Sequence, residues 1–274
     1  MNCCLICVNH NSYDSLSRFL KSVHIAHKNC HYDLYLNIVV VDNSIEKKKP
    51  PFFDFPSDPN IKIELFQCEN LGYFPSAQLA IKELKLNLEE YKFSTISNVD
   101  VRLSSNFFNK LLSLNIEKDV AVLAPSILSS SKKLDINPKI LRRPSARKLK
   151  LNSFFFMNPI LHKLLVLIHL ARVKIIRKND LSNQKIFKDI YAAHGSFFIF
   201  SDNFFKYISL NFPIFLFGEE LYIAELSRKN DLRIIYNNNL QVFDEENIST
   251  SQLRSSEYCR LNRIALQYIL HEFY

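Results

Sequence analysis

Tryptophan is absent from the 274-residue chain, methionine occurs twice and glycine only three times. Average usage of about 7% would give roughly 19 glycines. Where glycine is this scarce, the survivors mark places that need a positive φ or the close approach of another group. Gly72, Gly195 and Gly218 are therefore positions that a functional reading has to account for. Acidic residues are missing from one long stretch: Lys139–Lys178 holds eleven Lys and Arg and no Asp or Glu. The other residues carry 24 basic against 27 acidic side chains, so the net charge of +8 comes from a single basic segment. The apolar run inside it, Phe154–Leu170, is broken by Asn158-Pro159 and His162-Lys163. A transmembrane helix needs about 20 mainly apolar residues, which this run does not supply. A second pair of cysteines to complete a zinc site is also missing. Cys4 and Cys7 have C-x-x-C spacing but lie in an apolar run, and read as core thiols. With reduced thiols and no basic leader ahead of the first strand, the expected compartment is the cytosol.

What is present is an ordinary globular composition, 47% hydrophobic and 23% charged, which excludes a disordered chain. Short apolar runs alternate with helical periodicity. Cys4–Val8 reads as a strand, and Leu16, Phe19, Leu20 and Val23 follow at helical spacing. Asn37–Val41 and Ile61–Phe66 are the next strands, and Ala77, Ala80, Ile81 and Leu84 mark a second helix. Phe93–Ser97, a helix through Phe107–Leu112, and Val120–Ala124 complete the first half. Ser126–Ser131 reads as a polar loop. Alternation resumes with strand Ser196–Phe200, helix Glu219–Lys229, strand Leu232–Tyr236 and a closing helix over Ser251–Leu270. The expected class is α/β, a mostly parallel sheet with helices on both faces. The expected organisation is a nucleotide-binding half at 1–125, a basic and apolar insertion at 126–190 acting as lid or membrane-proximal segment, and an acceptor-side half at 191–274.

Four acidic clusters each follow an apolar run or open a helix: Asp42, Asp100, Glu219-Glu220 and Asp244-Glu245-Glu246. One acid after a strand is routine turn chemistry. Four, separated by core-like segments, predict convergence at one sheet edge, where open α/β sheets bind ligands.

The order of motifs resembles the inverting glycosyltransferases of the GT-A fold, family two, in the bacterial rhamnosyltransferase-like and surface-polysaccharide branch. Val8-Asn9-His10-Asn11-Ser12 is similar to that family's strand-one corner against the nucleotide. Val40-Val41-Asp42-Asn43-Ser44 is similar to the motif whose Asp holds base or ribose. Asn70-Leu71-Gly72-Tyr73 resembles a glycine turn near the nucleotide, and Asn98-Val99-Asp100 the branch's form of the metal motif. His194-Gly195-Ser196 resembles the element shaping the donor and acceptor pocket, and Phe217-Gly218-Glu219-Glu220 the element carrying the base. Val242–Glu246 resembles a late metal or phosphate segment, with Asp244 where the family often has His. All three glycines fall inside these seven elements.

The resemblance implies a transferase that uses Mg²⁺ or Mn²⁺ and a nucleotide-diphosphate sugar, with UDP- and dTDP-sugars both open. The acceptor would be a glycan or lipid-linked glycan hydroxyl in capsule, O-antigen or lipopolysaccharide biosynthesis. Asn9, His10, Asn11, Asp42, Asn70, Gly72 and Asn98 would contact the donor nucleotide, and His194, Gly195 and Ser196 would shape the pocket. Asp100 and Asp244 would hold the cation, Glu220 would be the base and Glu219 its companion. A divalent cation eases departure of a diphosphate, and an acceptor hydroxyl needs a carboxylate to take its proton. The competing readings are an inactive glycosyltransferase-like partner subunit and a nucleotidyltransferase. Nucleic-acid binding is disfavoured by the acidic balance outside the basic segment. That segment is either a basic piece lying on an anionic membrane surface or a lid whose cations are solvated or bind donor phosphates.

Overall fold

The computed structural model describes residues 1–47, 58–129, 134–163, 165–167, 187–245 and 253–274. Glu246, the end of the Ser126–Ser131 stretch, the start of the expected last helix and the basic segment from 168 onward lie outside them.

Strand β1 (Asn2–Asn9) is the centre from which the fold is built. Its alternating side chains go to opposite faces: Cys4, Ile6 and Val8 join one core, Cys3, Leu5 and Cys7 the other. Burial on both faces is why the run is continuously apolar. It also pushes the thiols of Cys3, Cys4 and Cys7 up to about 12, so they act as small core hydrophobes. Helix α1 (Tyr13–Lys28) buries Leu16, Phe19, Leu20 and Val23, the stripe the spacing predicts. β2 (Tyr35–Asp42) pairs parallel to β1, and β3 (Ile61–Gln67) parallel to β2. α2 (Tyr73–Glu83) covers the first face, and β4 (Phe93–Asn98) lies parallel to β1 on its other side.

After β4 the chain turns at Val99-Asp100 into a short strand, β5 (Val101–Leu103), and then α3 (Phe107–Leu112). β6 (Val120–Ser129) runs through the residues expected to be loop as far as Ser129. Its tail is buried, with Ile127 at 0% exposure, because β10 (Arg233–Asp244) pairs with it in parallel beyond a bulge between Asn237 and Gln241. That partner was invisible locally, and Ser126 and Ser129 look polar only in sequence. Two further short strands, β7 (Leu134–Asp135) and β8 (Phe187–Ile190), flank β6 and β10, and β9 (Phe197–Ser201) inserts antiparallel between β4 and β6. The sheet order is β3-β2-β1-β4-β9-β6-β10-β5, mostly parallel by register, and one sheet runs through both the 1–125 and 191–274 segments.

Helix α4 (Ala146–Phe155) follows, then α5 (Asp202–Tyr207), α6 (Glu219–Lys229) and the closing α7 (Ser255–Phe273). On the α2 face a phenylalanine cluster joins the two halves: Phe74 meets Phe198 and Phe212 edge-on at centroid distances of 6.1 and 6.2 Å. Burying each such ring contributes roughly 1.5–3 kcal/mol. No helix among the described residues is long and apolar enough to cross a membrane.

Candidate active site

The C-terminal ends of β1 and β4, the start of α6 and the end of β10 surround one cavity of about 630 Å³. Asp100, Glu219, Glu220 and Asp244 line it, and so do Gly72, Gly195 and Gly218. His10, Asn70, Asn98, His194 and Ser196 are also in its wall. Asn9, Asn11 and Asp42 are not. Asn9 is wholly buried and donates from Nδ2 to Asp42 Oδ1 at 3.1 Å, while the backbone N–H of Asn11 donates to Ser44 Oγ at 2.8 Å. Asp42, 1% exposed, also accepts from the Ser44 and Tyr13 hydroxyls at 2.6 and 2.9 Å. Burial pushes its pKa up, but these donors outweigh it and the carboxyl ends below its ordinary value. These three residues join the first corner to the second beneath the cavity wall. A second cavity, about 480 Å³, opens beyond Asn70 beside Ser44, Lys47 and Gln67.

The glycines explain how distant segments come together. Gly72 has φ +95°, and a Cβ there would lie 1.7 Å from the carbonyl oxygen of Phe215. Backbone therefore touches backbone between the turn before α2 and the loop before α6, which only glycine allows. Asn43 secures the same turn, donating from Nδ2 to the Gly72 carbonyl at 3.1 Å and Ser76 Oγ at 3.0 Å. Phe217 at φ +69° and Gly218 at φ +86° are consecutive left-handed residues, and such a conformation is strained for a phenylalanine. The kink turns the first residues of α6 into the cavity. Gly195 leaves room of a different kind, since a Cβ on it would come within 2.7 Å of Glu219 Oε1.

The two carboxylate pairs differ in what faces them. Asp100 is 7% exposed, and its Oδ1 is buried with no hydrogen-bond partner. Antiparallel pairing of β5 with β10 sets Asp244 opposite Val101. Burial first, then the charges of Asp244 and Glu245, push the Asp100 carboxyl up to about 7. Glu245 itself is engaged by Arg18 and Arg102 at 2.7 and 2.5 Å. A bare buried carboxylate oxygen beside a second carboxylate fits a divalent cation with oxygen preference. Among the described residues no group of three or more His, Cys, Asp or Glu is placed to hold a metal. Asp100 and Asp244 would thus furnish part of a coordination shell, the remainder coming from ligand oxygens and water.

At the other pair, Lys139 Nζ lies 3.4 Å from Glu220 Oε1. Burial pushes the Glu220 pKa up, but Lys139 and then His194 outweigh it, and the carboxyl is held below its ordinary value. Burial and the Glu220 charge push Glu219 upward. The lysine thus favours the charged form of Glu220, whereas burial disfavours that of Glu219, a division that suits acid–base work. Tyr73 donates its hydroxyl to the Gly195 carbonyl at 2.9 Å. Its pKa is raised well above normal by burial, then by Glu219, Asp100 and Glu220, so the two carboxylate pairs act on one buried hydroxyl.

Lys139, Tyr73 and Tyr258 are cavity residues that sequence reasoning did not single out. Tyr73 was visible as the last residue of the glycine turn. Lys139 is legible only as the first cation of the basic segment, and Tyr258 only as a position within the closing helix.

No protein-family model and no curated protein sequence matches the chain. Solved structures do. GalNAc-T7 with UDP, GalNAc and Mn²⁺ aligns at TM-score 0.58 and 13% identity over 95% of this chain and 47% of that one. S. aureus TarS aligns at TM-score 0.56 and 14% identity over 90% of this chain and 37% of the other. A TarS fragment, residues 1–349 with UDP-GlcNAc, aligns at TM-score 0.55 and 15% identity, covering 100% of this chain and 71% of the fragment. The chain thus spans about half or less of the first two proteins. At these identities the likeness establishes the fold: it is the GT-A fold of glycosyltransferases.

Proposed function

We propose that the chain is a glycosyltransferase that takes a sugar from a nucleotide-diphosphate donor and transfers it, with inversion, to a hydroxyl of a glycan or lipid-linked glycan in surface-polysaccharide biosynthesis. The observation that carries this reading is the convergence of Asp100, Asp244, Glu219, Glu220 and all three glycines on one cavity. Neighbours of the same fold hold UDP or UDP-GlcNAc, one of them with Mn²⁺.

In this reading the donor lies along the ends of β1 and β4, with its base in the adjoining cavity near Lys47 and Gln67. Asp100 and Asp244 would hold Mg²⁺ or Mn²⁺, which when bound offsets the charge of the diphosphate leaving group. Asn9 and Asp42 act by fixing the corner on which His10 and Asn43 are presented. Glu220, ionised beside Lys139, accepts the acceptor hydroxyl's proton. The acceptor oxygen bonds to the anomeric carbon as the bond to the diphosphate oxygen breaks. Glu219, against Gly195, orients the acceptor by donating a hydrogen bond.

The test is a thermal-shift panel of nucleotide sugars with and without Mn²⁺, followed by donor hydrolysis without acceptor. Metal-dependent stabilisation by one donor class together with slow hydrolysis is the expected result. Binding with no turnover towards any acceptor would favour the inactive-partner reading, and no binding at all would end the proposal.

A further inference from the structure

A second surface stands apart from the cavity. From Lys139 to Leu167 the chain has no Asp or Glu. Leu149 and Ser153 turn α4 inward against α7. Half a turn away, Arg147, Leu151 and Phe154 follow one another at i, i+4, i+7 on the outer side, with Lys148 and Lys150 flanking them. Leu151 and Phe154 are 54% and 52% exposed, and the patch continues through Met157 at 52%, Ile160 at 79% and Leu167 at 63%. Arg142 and Lys163 are exposed at its margins. Arg143 is not part of it, being held by Glu225 and stacked 4.1 Å over the Tyr274 ring. Contiguous large apolar side chains left in water mark an interaction site.

We infer that this face docks on an anionic lipid surface. The reason is charge complementarity. Apolar tips intermixed with cations alone suit a negatively charged interface, where rings and aliphatic chains enter the headgroup boundary and Lys and Arg meet lipid phosphate. A second copy of the chain pairing through this face would set Arg and Lys against Arg and Lys without an acid in the patch. Of the acids on the helix packed against α4, Glu257 is paired with Arg260 at 2.6 Å and Glu272 is hydrogen-bonded to His271 at 2.9 Å. No described helix is long and apolar enough to cross a membrane, and the docking inferred here is peripheral.

The inner side of the same segment reaches the cavity. Phe156 stacks on His162 at 4.9 Å, His162 meets Tyr258 at 5.4 Å, and Tyr258 meets Phe217 at 5.2 Å. Tyr258 and Phe217 both line the cavity. Docking would therefore hold the cavity's α7 wall close to the lipid headgroups, where a lipid-linked acceptor is confined. This purpose rests on the transferase reading, whereas the docking itself does not.

Sedimentation of the full chain with vesicles tests it, without donor or acceptor. The expected result is pelleting with phosphatidylcholine–phosphatidylserine vesicles at low salt, loss at high salt, and little pelleting with phosphatidylcholine alone. Neutralising Arg147, Lys148 and Lys150 to Gln should lower partitioning by about tenfold or more. Leu151→Asn with Phe154→Asn should lower it comparably while leaving salt dependence in place. Both sets point outward, and an unchanged melting temperature would show them folded. Equal pelleting of variants and parent, or none by the parent, overturns the inference. So does a dimer in light scattering that the same substitutions dissociate without any vesicle binding. Failure of donor binding in the separate thermal-shift panel would leave the vesicle result standing, so the two readings fail independently.

Discussion

The cavity contains two pairs of carboxylates, and they are completed in opposite ways. Asp100 and Asp244 meet where β5 and β10 pair at the sheet edge, and Asp100 keeps a buried oxygen with no donor facing it. Glu219 and Glu220 open α6, and Lys139 stands 3.4 Å from Glu220. Asp100 is consequently driven towards its protonated form, whereas Lys139 favours the ionised form of Glu220 while Glu219 beside it is pushed upward. The lesson is electrostatic: burial alone favours the neutral acid, and a nearby cation reverses it. One pair carries its cation in the chain, whereas the other suits a cation arriving with a ligand. Under the proposed function, that difference would give diphosphate neutralisation to the first pair and proton abstraction to the second.

The strongest way to break the comparison is to remove charge at the first pair. Asp100→Asn is expected to lower kcat/KM about 10³-fold, several kcal/mol of lost transition-state stabilisation, and to abolish metal-dependent stabilisation by a nucleotide diphosphate. It should also raise the melting temperature of the ligand-free protein by roughly 2–4 °C, since it relieves a buried repulsion worth about 1 kcal/mol. Steady-state kinetics and calorimetry on one preparation measure both. A loss of activity accompanied by a lower melting temperature would mean that Asp100 holds the fold. Next in size, Glu220→Gln should cost about 10²–10³-fold in kcat with donor binding unchanged. Glu219→Gln should cost less, because an amide still donates a hydrogen bond. Reversal of that order would exchange the two roles.

How much of this was legible beforehand depends on range. Strands and helices whose signal lies in their own residues, such as Asn37–Val41 and Glu219–Lys229, were predicted within a few residues. The buried tail of β6 was not, because serines become core only when β10 arrives from more than a hundred residues away. The site divides in the same manner. Asp100, Asp244, Glu219 and Glu220, marked by their place after apolar runs or at a helix start, and the three glycines, marked by their scarcity, line one cavity. Asn9 and Asp42 were read as ligand contacts, and the structure has them buried against each other, a relation set by parallel register between β1 and β2 that neither motif encodes alone. Lys139 escaped notice because a cation's partner cannot be read from the cation. The basic segment looked uniform in sequence, yet Lys139 faces Glu220, Arg143 faces Glu225, and Arg147 faces water.

Arg143 supplies a control for the second pair. Its guanidinium forks onto the fully buried side chain of Glu225 at 2.7 and 3.2 Å, on the same helix as Glu220 but outside the cavity. Glu225 keeps Tyr191 and Arg228 as partners, and Arg143 is itself more than a third exposed. Arg143→Met should therefore cost about 2 kcal/mol of stability, below the usual range for a broken buried pair, with kcat of the surviving folded protein nearly unchanged. Burial raises the Glu225 pKa, but Arg143, Tyr191 and Arg228 outweigh it and leave it lowered. A lowered carboxyl stabilises the fold above its unfolded value, about 4.3, and that stability is lost as pH falls through the folded value. The gap in melting temperature between parent and variant should thus close in acid, which a pH series of thermal melts would reveal.

The smallest expected effect is the sharpest test. Lys139→Met removes the cation that keeps Glu220 ionised, so burial is left to act and the Glu220 pKa must rise. Glu219, already pushed upward by burial and by Glu220, then competes for the same charge, and the pair retains a proton to higher pH. For a base that works deprotonated, the acid limb of kcat/KM moves to higher pH. The variant should lose about tenfold near neutrality, a cost of roughly 1.4 kcal/mol, and recover much of it in alkali. A lysine that merely supported the fold would lower the whole profile without moving the limb. One that bound donor phosphate would raise KM at every pH. A displaced limb with an intact plateau is the outcome that only an internal counter-charge produces, and Arg143→Met, with its unshifted limb, is the comparison against which to read it.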